Sequence, residues 1–147
     1  MASERFVRCG LDNLLFVLLT WIGSNTNYNI DLVLPNLLIT EPQNICANYG
    51  IKSKGQCAAA KMKGFYDKKF TIYLYNDFDA DDLVDRSRLV HELVHYVQWA
   101  NNKHKTTCLG HLEVEAYELQ DRWRADYNLG ESIDPFRKIM LAASCDD

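Results

Sequence analysis

Two histidines four residues apart, with a glutamate directly after the first, form the run His91-Glu92-Leu93-Val94-His95 inside an apolar, helix-compatible stretch. Side chains four apart share one face of a helix, so both imidazoles can address a single metal ion while Glu92 flanks the same opening. A catalytic zinc ion needs three protein ligands and one open position. Glu115, in a second helix-compatible stretch, supplies the third donor. One Zn2+ held by His91, His95 and Glu115 would acidify a water molecule, let Glu92 take its proton as general base, and polarise a substrate carbonyl. That chemistry is hydrolysis. The same donor set also suits other first-row divalent metals, so the residues fix the ligands before they fix the ion.

For these residues to meet, two helices must present them. At about 100° per residue, residues 81–101 give a broad apolar sector of Leu83, Leu89, Val90, Leu93, Val94, Tyr96, Val97 and Ala100. His91, His95 and Gln98 fall on the remaining side with Val84 and Ser87, which predicts a helix buried over most of its girth with the histidines at the edge of a cleft. A second helix is expected from Leu109 or His111 to Asp126, its inner face carrying Leu112, Ala116, Leu119 and Trp123. Glu115 lies closer to that stripe than Glu113 or Glu118. A carboxylate turned toward a core is costly unless paired or bound to metal, which makes Glu115 the preferred ligand and His111 the runner-up.

Upstream, residues 70–75 alternate, with Phe70, Ile72 and Leu74 on one side and Thr71, Tyr73 and Tyr75 on the other, and predict a strand. Residues 32–39 read as a second extended run whose Pro35 favours an edge or a strand end. Near the N-terminus, Leu11, Leu14, Leu15, Leu18, Trp21 and Ile22 follow helical spacing. That pattern favours a packed amphipathic helix over a signal-peptide core, and the run is too short to span a bilayer. Asp77, Asp79 and Asp81 alternate as in a calcium-binding loop, but Asp82 stands where glycine is needed and Arg88 where glutamate is. Asp79 or a neighbour is instead expected to cap the histidine helix. A short C-terminal helix is expected from Pro135 to Ala143.

The 147 residues are 48% apolar and 24% charged, which describes one soluble globular domain over residues 1–147 with a real core, and the helices and strands read above make its expected class α+β. A net charge of -4 argues against a nucleic-acid partner, and Lys61, Lys63, Lys68 and Lys69 read as a solvated face. Five cysteines cannot all pair within one chain. A Cys57–Cys108 bridge is one expectation and five reduced thiols the other, so the compartment stays open between cytoplasmic and exported. Cys108 and His111 have C-x-x-H spacing, and with His104 could form part of a structural zinc site, but no second ligand pair accompanies them. Tyr117, Arg122 and His104 are all candidates to stabilise an oxyanion. Trp99 and Trp123 are most simply core aromatics.

The His91-Glu92-Leu93-Val94-His95 run, with Glu115 followed by Ala116-Tyr117, resembles the gluzincin branch of the zinc metallopeptidases in a minimal, single-domain form. That resemblance covers residues 70–123. It implies a zincin-like fold, with a small sheet packed against the HExxH helix and a following Glu-bearing helix. It also implies His91, His95 and Glu115 as zinc ligands, Glu92 as catalytic base, and an edge strand, here residues 70–75, that receives a peptide or protein substrate in extended form. A metzincin pattern is disfavoured by Gln98 and Asn101. Thermolysin-like members carry Asp where this chain has Leu119. The expected function is zinc-dependent peptide-bond hydrolysis, and the competing expectation is a non-catalytic, zinc-stabilised binding or regulatory module. Neither requires membrane insertion, and neither fixes an oligomeric state.

Overall fold

Apolar side chains recurring every three to four residues fold as helices in this chain, and alternating ones fold as strands. The computed structural model describes residues 5–6, 11–41, 46–47, 64–67 and 70–146. In chain order the elements are β1 (Arg5–Phe6), α1 (Asp12–Ser24), β2 (Asn36–Thr40), β3 (Gly64–Asp67), β4 (Thr71–Tyr75), α2 (Leu83–Ala100), a 3-10 turn (Lys103–Lys105), α3 (Leu109–Asp126) and α4 (Pro135–Ala143). The class is α+β, as expected. Lys61, Lys63, Lys68, Lys69, Cys9 and Cys57 lie outside the described residues.

The strands form one sheet in the order β1-β2-β4-β3. β2 and β4 run parallel, with Leu37 opposite Ile72 and Ile39 opposite Leu74, while β1 and β3 pair antiparallel to them. Pro35, which has no N–H to give to a ladder, stands just before β2, so the extended run at 32–39 becomes a strand only from Asn36. Phe70 is not in the strand either. Its φ of 62° turns the chain, its carbonyl accepts the Asn36 N–H at 2.9 Å, and its ring meets Tyr96 edge-on at 5.7 Å. The expectation that residues 70–75 form an open edge is corrected: β4 is hydrogen-bonded on both sides, and among the described residues the edges are β1 and β3.

One core joins α1, the sheet, α2 and α3. Leu15, Leu18, Leu19 and Ile22 bury the inner face of α1, while Phe16 and Val17 face outward. Among the described residues no helix is long and apolar enough to cross a membrane. Leu89, Val90, Leu93, Val94 and Val97 of α2 are fully buried, as the periodicity requires. Asp82 caps α2, its carboxylate accepting the Asp85 N–H at 3.0 Å, while Asp85 in turn accepts the Asp79 N–H at 2.9 Å. The cap is therefore a neighbour of Asp79. The polar side of α2 is no solvent face, because Ser87 and Gln98 are also fully buried, against α3.

α4 packs on α3 and is stapled there by a disulfide between Cys108 and Cys145. Gly110 makes the approach feasible: a Cβ at that position would stand 2.2 Å from the Leu141 carbonyl oxygen. Lys138 pairs with Asp121 at 2.7 Å, and Ser132 donates two hydrogen bonds to the same carboxylate. The bridge overturns the Cys57–Cys108 expectation and removes Cys108 as a thiolate ligand. It arises because the start of α3 and the end of α4 are neighbours, with Cα atoms 5.9 Å apart. Cys46 is disulfide-bonded as well. Cys108→Ser with Cys145→Ser should lower unfolding stability by about 2–4 kcal/mol in a urea titration, since the bridge closes a loop of 37 residues. An unchanged midpoint would show that the staple adds nothing to α4 packing.

Candidate metal centre

α2 places His91 and His95 one turn apart with their rings 4.8 Å apart, and α3 crosses them with Glu113. The two Nε2 atoms lie 3.2 Å from each other. Glu113 spans both: Oε2 is 3.6 Å from His91 Nε2, and Oε1 contacts His95 Nε2. Tetrahedral zinc with bonds of about 2.0–2.1 Å separates its ligand atoms by about 3.4 Å, which the His91–His95 and His91–Glu113 spacings approach, while Glu113 and His95 stand in direct hydrogen-bond contact, closer than two ligands of one ion.

The proton inventory points the same way. Gln98 Nε2 donates to the Leu112 carbonyl at 3.0 Å and to Glu115 Oε1 at 2.9 Å, and both are acceptors only. Its amide oxygen must therefore face His95 Nδ1, at 2.9 Å, which has to carry the proton. Behind His91, the Ser87 hydroxyl donates to the Val84 carbonyl and so accepts from Gln120 Nε2 at 3.3 Å and from Arg124 at 3.0 Å. That fixes the Gln120 oxygen toward His91 Nδ1 at 3.1 Å. Both imidazoles are thus protonated at Nδ1, and both turn a bare Nε2 to a shared point where Glu113 adds a carboxylate. Three acceptors converge with no donor of their own. A cation must stand among them, either a proton or a metal ion.

In the metal-free state the proton serves. Burial works against a charged His95, but the hydrogen bond and charge of Glu113 outweigh it and hold His95 up to about 9. Burial likewise opposes the Glu113 anion, yet the two imidazoles hold its carboxyl well below the usual range. Glu92 behaves in the opposite sense. Its burial pushes the carboxyl up, and the pull of His91 and His95 offsets this only in part. It is 8% exposed, and no described side chain or backbone N–H donates to it.

Glu115 stands elsewhere. Its Oε1 accepts from Gln98 and from the Tyr28 hydroxyl at 2.5 Å, so the carboxylate brought to the histidines is Glu113, and Glu115 lies one link behind His95. Burial and that bond push the Tyr28 phenol up, which keeps it a donor. His111 is exposed and outside the cluster. His104 stacks on Trp99 at 3.6 Å, and Arg122 lines a separate 410 Å³ cleft with Tyr28 and Glu115. Of the oxyanion candidates only Tyr117 adjoins the site, its ring 4.4 Å from that of His91. Burial raises its phenol, so it too remains a donor. Trp123 is a core residue, and Trp99 packs partly buried against the core. Sequence reasoning did not find Glu113, Gln120 or Tyr28. A signal for the first two was present, because Glu113, Tyr117 and Gln120 repeat at i, i+4 and i+7 and share a helix face.

Residues 10–147 match the model of a domain family described as a domain of unknown function, DUF6647. No curated protein and no solved structure matches.

Proposed function

The chain belongs to the DUF6647 family, and from the geometry of its histidine–glutamate cluster we propose that it is a zinc-dependent hydrolase of peptide bonds with a zincin-like build. The observation that carries this reading is the convergence of His91 Nε2, His95 Nε2 and the Glu113 carboxylate on one point, with the Nδ1 of each imidazole engaged by a glutamine oxygen behind it. Gluzincin-like ligation is thereby kept, with Glu113 taking the place expected for Glu115.

When bound, a zinc ion supplies Lewis acidity, bringing the pKa of water close to neutrality and polarising a carbonyl. The rest falls to the chain. His91, His95 and Glu113 hold the ion. Glu92, buried beside the two imidazoles with its carboxyl raised, takes the proton of the attacking water and later delivers it to the leaving amine. Tyr117, neutral at the flank of His91, offers its hydroxyl to the carbonyl oxygen as charge develops there. The edge strand β3, which lies against α2, is the backbone ladder best placed to receive an extended peptide. The Cys108–Cys145 staple suits an oxidising compartment.

Metal content tests the reading. Protein purified without added metal or chelator is expected to carry close to one zinc per chain by elemental analysis, and both His95→Ala and Glu113→Ala are expected to lose it. Wild type that takes up no zinc even on reconstitution would sink the proposal.

A further inference from the structure

The two histidines are backed by hydrogen-bonded chains of opposite sign. Behind His95 the chain runs from Nδ1–H to the Gln98 oxygen, then from Gln98 Nε2–H to Glu115 Oε1, and ends in a carboxylate. Behind His91 it runs to the Gln120 oxygen, then from Gln120 Nε2–H to Ser87 Oγ, where the Arg124 guanidinium donates to the same oxygen. A terminal anion polarises the intervening amide and draws on the imidazole N–H. A terminal cation that competes for the serine oxygen does the reverse.

We propose that Glu115 is a positioning residue that, through Gln98, orients His95 and strengthens it as the better donor of the pair. The proposal rests on the metal reading above and assigns a task to a carboxylate that does not touch the ligand cluster. Gln98 is fully buried and makes all its bonds within the chain, so its amide has one orientation to adopt. Glu115 is itself fixed by Tyr28. That tyrosine is held in place by its neighbour Asn29, whose backbone N–H and carbonyl both pair with the Asn101 side chain at 2.9 Å. A loop after α1 is thereby latched to the end of α2, and the latch delivers Tyr28 to the far end of the relay. Outer partners of metal-bound histidines typically carry 10- to 100-fold in affinity.

The test compares zinc affinity and the His95 Nδ1–H resonance in wild type, Glu115→Gln, Gln98→Leu and Glu113→Gln. Glu115→Gln should still bind one zinc per chain but about 10- to 100-fold more weakly. Its His95 Nδ1–H signal should move upfield while that of His91 stays. Gln98→Leu cuts the relay at its centre and should weaken zinc comparably, which covers the case that Glu115→Gln folds poorly. If Glu115→Gln abolishes zinc uptake as His95→Ala does, Glu115 is itself a ligand and the proposal falls. It falls equally if affinity and resonance are both unchanged. Should wild type bind no zinc, the metal reading fails, and the His95 resonance in the metal-free variants still decides the relay.

Discussion

Glu92→Gln should reduce peptide turnover by about 10²- to 10⁴-fold while leaving zinc content at the wild-type level. Glu92 is not among the three converging donors, so its charge is not needed to hold the ion. On the proposed reading it is needed to accept a proton, and its surroundings suit that role: burial raises its carboxyl, and no described group donates to it. Glutamine matches its shape but has no basic oxygen to take a proton and none to return. Because the substitution removes a buried carboxylate without a fixed partner, the unfolding midpoint should hold or rise. Loss of activity by misfolding is thus separable from loss of the base. The measurement is cleavage of a peptide library by zinc-loaded wild type and variant, with metal content read on the same samples. Equal turnover in the two would remove Glu92 from the chemistry. Zinc-loaded wild type that cleaves nothing would instead favour the non-catalytic binding module, for which Glu92→Gln should leave partner binding intact.

The helices were legible because long apolar periods report burial directly. Residues 81–101 announced α2, and the C-terminal helix from Pro135 to Ala143 matches its expected bounds. Sheet order was not legible. Alternation at 70–75 says that a strand forms but nothing about what flanks it, and β4 proved to be interior because β2 and β3 claim both of its ladders. The site divides in the same way. His91, Glu92 and His95 share one helix, so their mutual placement follows from helical geometry alone. The third carboxylate depends on how α3 crosses α2. Around α3, Glu113 and Glu115 lie about 60–100° to either side of the stripe formed by Leu112, Ala116, Leu119 and Trp123, so burial arguments scarcely separate them. The crossing turns the Glu113 flank, shared with Tyr117 and Gln120, onto the histidines and leaves Glu115 to Gln98 and Tyr28. The disulfide was hidden for a related reason: Cys108 and Cys145 are distant in sequence and become neighbours only once α4 folds back on α3.

Removing zinc should make stability fall with pH above 6.5, where the zinc-loaded protein should stay level as far as His95 and Glu113 are concerned. In the chelated protein the cation at the site is a proton on His95, paired with Glu113. The folded-state pKa of His95 is raised from 6.5 to about 9, so its contribution is fully present below 6.5 and is lost as pH climbs through 9. Glu113 is shifted the other way, so its contribution is present above its ordinary value of 4.5 and is lost as pH falls below that. The metal-free protein should therefore be at its best between about pH 4.5 and 6.5 as far as this pair is concerned. It should lose on the order of 2–3 kcal/mol by pH 9. In the zinc-loaded protein the same proton is a competitor. Each ligand must be deprotonated to bind metal, so zinc affinity grows over the same interval, and with it the stability conferred by binding. The two stability curves should diverge from pH 6.5 to 9, the loaded form rising relative to the chelated one. Urea unfolding of both forms at pH 6 and pH 9, with free zinc held fixed in the loaded samples and chelator present in the others, measures the divergence. Parallel curves would mean that no proton leaves the His95–Glu113 pair on zinc uptake, and that this pair does not hold the ion. Glu113→Gln supplies the control: without its anion the chelated protein should lose its stability maximum below pH 6.5, and added zinc should no longer separate the curves.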